Sequence, residues 1–218
     1  MAERKVLVYT RFNRLWHWSQ AASILILLFT GLRIMGLHGI LSFGLAVTIH
    51  TVVALALMLL WVFTGFWLVT TGAWRQFMPR RAGLWQVARF YVWGVFRGED
   101  HPYRKVLRRR HNPLQALAYL ALKAFLVPAV WISGIAYLTY GFWRPLDTSG
   151  WAIWTVANIH ILAALSIGGF VVAHVYLLTV GHGFREHVRP MLTGVDRIDL
   201  TPEQETWLAS EEPHRLKP

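Results

Sequence analysis

Apolar residues fall into four long runs separated by polar stretches, and none of the runs shows the polar face of a soluble amphipathic helix. The first covers about residues 15–37, with Arg33 near its far end as its one charge. The second, about 43–71, has no charge; the third, about 113–140, carries Lys123; the fourth, about 151–180, again has none. Each is longer than the roughly 20 apolar residues a helix needs to cross about 30 Å of hydrocarbon. The pattern predicts an all-α fold, an integral membrane four-helix bundle within residues 1–195, and a cytoplasmic C-terminal tail over 196–218, of which residues 201–218, acidic then basic, read as a docking strap or a disordered tail. Gly36, Gly39 and Gly44 mark a short turn, so the first two helices form an antiparallel hairpin. Pro128 predicts a kink in the third. Residues 84–96 mix Trp85, Phe90, Tyr91, Trp93 and Phe96 with Arg89 and Arg97, which suits a short helix in the membrane interface. The first run is too long for a cleaved signal and no small-residue cleavage site follows it, so it reads as an uncleaved signal-anchor.

Composition sharpens this picture. Of 218 residues 55% are hydrophobic and only 15% charged, against about 25% charged in soluble domains, which excludes an ordinary soluble enzyme. The absence of cysteine excludes disulfides, cysteine-ligated iron–sulfur clusters, thiol nucleophiles and covalently attached c-type haem. Lys and Arg number four before the first span, ten between the second and third and five after the fourth, while Arg33 and Arg144 alone lie on the other side. Positive charge stays cytoplasmic, so both termini and the long middle loop face the cytoplasm. The net charge of +11 is thereby explained without nucleic acid, and the basic run at 104–110 can meet anionic lipid. Tryptophans such as Trp16, Trp18, Trp74, Trp143 and Trp151 form an aromatic belt. The chain has no Gly-rich phosphate loop or nucleophile constellation, and its spans hold no Asp or Glu.

The candidate chemistry is histidine. His17, His50, His160 and His174 fall inside the apolar runs, where ionisable residues are expensive and usually functional. His160 and His174 are fourteen residues apart, close to four helical turns and about 21 Å along one helix face. With the termini inside, His17 matches the depth of His174 and His50 that of His160. Two such pairs are what two stacked haems need, each iron held by two imidazoles, with no open position and hence a role in passing electrons. Gly31, at the outer level, and Gly168-Gly169, between the ligands of the fourth span, leave room for flat macrocycles. Zinc wants four ligands around one point, and the pairs are too far apart for that. The competing reading is a haem-free transport or assembly protein whose histidines pack the bundle or bind metal transiently. His38 is a candidate substitute ligand, read as a loop residue; His101, His182, His187 and His214 read as solvated, and His111 as a candidate proton route. Lys123, Arg11, Arg14, Arg33 and Arg144 could meet haem propionates, although snorkelling and topology also account for them.

The segment Arg11-Phe12-Asn13-Arg14-Leu15-Trp16-His17-Trp18, the run Asn112-Pro113-Leu114-Gln115, and Gly169 to His174 followed by Met191-Leu192-Thr193-Gly194 resemble the dihaem cytochrome b membrane subunits of respiratory oxidoreductases. That family includes formate dehydrogenase gamma subunits, nickel–iron hydrogenase cytochromes b and thiosulfate reductase cytochromes b. The resemblance covers about residues 9–195, and the Asn-Pro-Leu-Gln run is most similar to the thiosulfate reductase branch. It implies two haems b, ligated at the inner level by His17 and His174 and at the outer level by His50 and His160. It also implies a quinone site, for menaquinone or ubiquinone, beside the inner haem at Asn112 and Gln115. Leu114 stands where formate dehydrogenase subunits carry a glycine. The implied partners are an iron–sulfur subunit on the outer face and, beyond it, a molybdenum/tungsten or nickel–iron catalytic subunit. The capping alternative for Asn112, at the start of the third helix, follows from its position alone.

Overall fold

The structure, a computed structural model, describes residues 2–78, 82–99, 102, 112–179 and 184–217. His101, His111, His182 and the basic run at 104–110 lie outside them. A strand β1 (Ala2–Leu7) leads into α1 (Arg11–Ile34) and α2 (Phe43–Thr70). The middle loop holds α3 (Leu84–Arg89), and the third span starts as α4 (Pro113–Ala121) and ends as α5 (Val127–Leu138). A single turn α6 (Tyr140–Trp143) precedes α7 (Trp151–Leu177), and the chain closes with α8 (Phe184–Thr193), β2 (Val195–Leu200), α9 (Pro202–Glu211) and β3 (Leu216–Lys217). Four helices, Arg11–Ile34, Phe43–Thr70, Pro113–Leu138 and Trp151–Leu177, are long and apolar enough to span a membrane. Their apolar side chains point outward: Leu59, Phe66, Val69, Phe125 and Val172 are each more than two-thirds exposed. That is the surface a bilayer covers, and the chain is a multi-pass membrane protein.

Local chemistry sets the ends of these helices. The first begins a turn earlier than hydrophobicity suggests because Thr10 caps it, accepting from the Asn13 amide at 3.2 Å. Ser42 caps α2 through the Leu45 amide at 3.3 Å. Asp147 caps α7, each carboxylate oxygen taking one amide, from Ala152 at 3.1 Å and Ile153 at 3.0 Å. The predicted disturbance at Pro128 takes the form of a π-helical stretch, Leu122–Leu126, immediately before it. Proline lacks an N–H and its ring crowds the carbonyl four residues back, and the wider turn absorbs both. The interfacial segment is helical through Arg97; Trp85, Val92 and Phe96 are strongly exposed while Val87 and Phe90 are buried.

The chain divides into two compact units, Met1–Ala116 with Leu178–Pro218, and Leu117–Leu177. In the first, α1 packs on α2, and the ends of the chain build an antiparallel sheet in the order β2-β1-β3. Its register pairs Ala2 with Leu200 and Leu7 with Val195. The C-terminal segment is therefore ordered, and of the two readings of residues 201–218, strap or disordered tail, the disordered one fails. Inward alternation at Val6 and Val8 and at Ile198 and Leu200 gives the sheet one dry face, which Leu208 of α9 covers. Both termini join one sheet and so lie on one side of the membrane. In the second unit, α5 packs on α7.

Gly194 closes the sheet against the first helix. Its carbonyl accepts from the Val8 and Tyr9 amides at 2.8 and 3.1 Å. Its φ is +87°, and a β-carbon there would lie 2.6 Å from the Tyr9 carbonyl oxygen. Gly194→Ala is expected to destabilise the protein by about 1–3 kcal/mol, read as a lowered thermal midpoint in detergent, whereas Gly39→Ala, where a β-carbon meets nothing within 4 Å, should leave the midpoint unmoved.

Candidate functional site

An imidazole inside an apolar helix bundle needs partners for its ring nitrogens, and the structure supplies them from the neighbouring helix. Near the turn end of the first hairpin, His50 Nδ1 lies 2.9 Å from Thr30 Oγ1. In the second unit, His160 Nδ1 lies 3.0 Å from Ser133 Oγ, and His174 Nδ1 lies 3.3 Å from the Tyr119 hydroxyl. Tyr119 and Ser133 are fourteen residues apart, as are His160 and His174, so two antiparallel helices present matched hydroxyl–imidazole pairs about 21 Å apart. The four histidines are half-buried, whereas Thr30 and Ser133 are 1% and 4% exposed. Among the described residues the buried polar side chains are Thr30, Thr64, Asn112 and Ser133; two of the four are spent on holding a histidine.

Glycines sit beside two of these rings. A β-carbon at Gly31 would come 3.5 Å from His50 Cε1, and one at Gly134 would come 3.3 Å from His160 Cε1. Gly31 was singled out as room for a macrocycle, and it is also the seat of the His50 ring. Gly169 has open space where its β-carbon would be. Thr30, Ser133, Tyr119 and Gly134 were not singled out from the sequence, although Thr30-Gly31 and Ser133-Gly134 repeat one hydroxyl–glycine pattern in the first and third spans.

His17 stands edge-on to Trp18, with ring centroids 5.2 Å apart. The end of α1 that carries it is clasped by the last turn of α8: Trp18 Nε1 donates to the Met191 carbonyl at 3.0 Å, and Arg14 donates to the Leu192 carbonyl. Two motifs far apart in sequence thus form one joint, and Arg14 has a backbone partner in it. Arg33 likewise donates to the Leu41 carbonyl at 2.6 Å, tying the turn between α1 and α2. His38 stacks on Phe29 with centroids 4.6 Å apart; its Nε2 lies 2.9 Å from the Phe29 carbonyl and its Nδ1 accepts from the Ile40 amide. Both its nitrogens are engaged in the turn, the loop role expected of it.

Asn112 and Gln115 form a reciprocal cap on α4. Asn112 Oδ1 accepts from the Gln115 amide at 2.8 Å, and Gln115 Oε1 accepts from the Asn112 amide at 3.1 Å. Asn112 Nδ2 still donates, to the Tyr91 hydroxyl at 3.2 Å. Burial pushes the Tyr91 phenol above its ordinary pKa, with the Asn112 hydrogen bond acting in the opposite sense, so Tyr91 remains a protonated donor. Lys123 lies in the π-helical stretch, half-buried.

Four histidines on apolar helices, three of them held through Nδ1, are the setting of a haem protein, and comparison with known proteins agrees. The family model described as prokaryotic cytochrome b561 matches residues 8–194. The chain belongs to this family. This cytochrome b561 is also similar to a protein of Escherichia coli (strain K12) named "Putative cytochrome YdhU", 30% identical over 203 residues that cover 88% of this chain and 75% of the relative. No solved structure matches it. Membership brings haem b as the prosthetic group and electron transfer as the general role of the cytochrome. Among its described residues no three of His, Asp or Glu converge as a metal cluster.

Substitution separates the two duties of Asn112. Asn112→Asp keeps the acceptor that caps α4 and loses the donor to Tyr91, so the thermal midpoint should hold. Asn112→Ala loses both, at a cost of about 1 kcal/mol. Equal losses in thermal unfolding of the two variants would show that the Tyr91 contact, and not the cap, carries the stabilisation.

Proposed function

We propose that this cytochrome b561 is the membrane-anchoring dihaem subunit of a respiratory oxidoreductase in a bacterial inner membrane, with both termini cytoplasmic. Residues 1–195 are the cytochrome domain and 196–218 a cytoplasmic segment. His50 and His160 would hold the outer haem b, and His17 and His174 the inner. Depth along the helices supports this pairing, as does the resemblance of the surrounding motifs to dihaem cytochrome b subunits. Haem held by these histidine pairs would supply one-electron transfer. The protein's own residues orient the imidazoles, exclude water from the apolar interior and keep the ligand nitrogens neutral.

The observation that carries the reading is the spending of scarce buried hydroxyls, Thr30 and Ser133, on histidine Nδ1 atoms. A neutral ring that donates its Nδ1 proton carries its lone pair on Nε2, the usual arrangement of a ligating histidine with an outer partner. A haem-free transport protein gives no reason for the family match.

Electrons would pass between an iron–sulfur subunit at the outer face, served by a molybdenum/tungsten or nickel–iron catalytic subunit, and menaquinone or ubiquinone at the inner face. Asn112 and Gln115 mark the quinone position, where the middle loop enters the third span. The cap uses their oxygens, so a quinone carbonyl would be met by the side-chain amides of both residues, that of Asn112 having one N–H beyond the one it gives Tyr91.

Haem counting by pyridine haemochrome tests the assignment. The purified chain should hold two low-spin haems b. His50→Ala or His160→Ala should remove one, and His17→Ala or His174→Ala the other. Two haems retained in His50→Ala, or none in the unaltered chain, would overturn it.

A further inference from the structure

The hydroxyls beside His50 and His160 are committed in a way that fixes the state of each ring. A hydroxyl carries one proton. Thr30 Oγ1 lies 2.8 Å from the Ile26 carbonyl and 3.2 Å from that of Leu27; Ser133 Oγ lies 2.6 Å from the Ala129 carbonyl and 3.3 Å from that of Val130. Carbonyls only accept, so each hydroxyl proton goes back to its own helix, as is usual for Ser and Thr in membrane helices. What the hydroxyl then has to offer the imidazole is a lone pair, and the ring must bring the proton on Nδ1. The neutral ring then has an unprotonated Nε2.

The same device occurs twice, built from different residues. In each hairpin a hydroxyl residue at the late end of the first helix is followed by a glycine, and both touch one imidazole on the second helix, over a separation of 20 residues in one case and 27 in the other. The hydroxyl fixes the proton, and the glycine lets the ring edge lie against the helix backbone. An alanine would meet His160 more tightly than His50, at 3.3 against 3.5 Å.

We propose that Thr30 and Ser133 are positioning residues that lock His50 and His160 as Nδ1–H tautomers, each with Nε2 offered to the metal. By accepting from the ligand ring they also raise its donor strength. A stronger donor favours the more highly charged oxidised iron, so the two hydroxyls hold the reduction potential of the outer haem down. Thr30 and Ser133 touch His50 and His160 and so act on the outer haem. The proposal rests on the haem assignment above and adds the residues that tune that haem.

The test is a redox titration of the purified chain with haem counting, on Thr30→Val, Ser133→Ala and the conservative Thr30→Ser. Thr30→Val should raise the midpoint of one haem, leave the other unmoved, and weaken haem retention at that site about tenfold. Ser133→Ala should move the same haem in the same direction, and it decides the matter if Thr30→Val does not assemble. Thr30→Ser keeps the acceptor and should restore both midpoint and retention. Two haems with unchanged midpoints in Thr30→Val and Ser133→Ala would overturn the tuning role while leaving the dihaem assignment intact. Equal shifts of both haems, or no rescue by Thr30→Ser, would also overturn it. An unaltered chain without haem would instead remove the assignment on which the proposal rests.

Discussion

A polar ring in hydrocarbon is tolerated only when a neighbouring helix brings it a hydrogen-bonding partner, because water is absent and an unmet polar group costs several kcal/mol. The helical pairings in this protein follow that constraint. Thr30 meets His50 across α1 and α2, and Ser133 meets His160 across α5 and α7. Tyr119 on α4 does the same for His174. Each contact fixes the rotation and height of one helix against its partner, and apolar packing alone is indifferent to both, since lipid tails are as apolar as leucine. The polar contacts that would ready the histidines for a metal therefore also set the register of the hairpins.

Outside the membrane helices the protein is held by different means. The ends of the chain make a small sheet with a dry face of Val6, Val8, Ile198 and Leu200 under Leu208. The last turn of α8 then docks on the His17 end of α1 through Arg14 and Trp18. His17 thus stands where the soluble part of the fold grips the first span. A water-exposed clasp is suited to this end because it can use backbone carbonyls and a glycine at positive φ, which a lipid-facing segment could not.

The spans were legible because twenty or more apolar residues admit few other structures, and the histidines because they interrupt that apolarity. The sheet was not legible: β1 and β2 are six residues each, nearly the whole chain apart, and their alternation means nothing until they pair. Thr10 was missed because a cap lies outside the hydrophobic run it starts. Thr30 and Ser133 were missed for another reason. Hydroxyl residues are common in membrane helices and usually bond only their own helix, so neither stands out alone; the recurrence of hydroxyl–glycine in two spans was the available signal. Asn112 was open to two readings, and the structure shows the cap in full, with the side-chain amide donating to the Tyr91 hydroxyl.

The central claim is that buried hydroxyls prepare specific imidazoles to bind haem iron through Nε2. Nitrogen-15 NMR of the histidine-labelled, fully reduced protein, where low-spin iron is diamagnetic, reads this directly. The account predicts four iron-bound rings, each bound through Nε2, with His50 and His160 protonated at Nδ1 and identified by their loss in single variants. Iron bound through Nδ1 at either residue, or a spectrum in which His50 and His160 are unbound while His38 is a ligand, would contradict it.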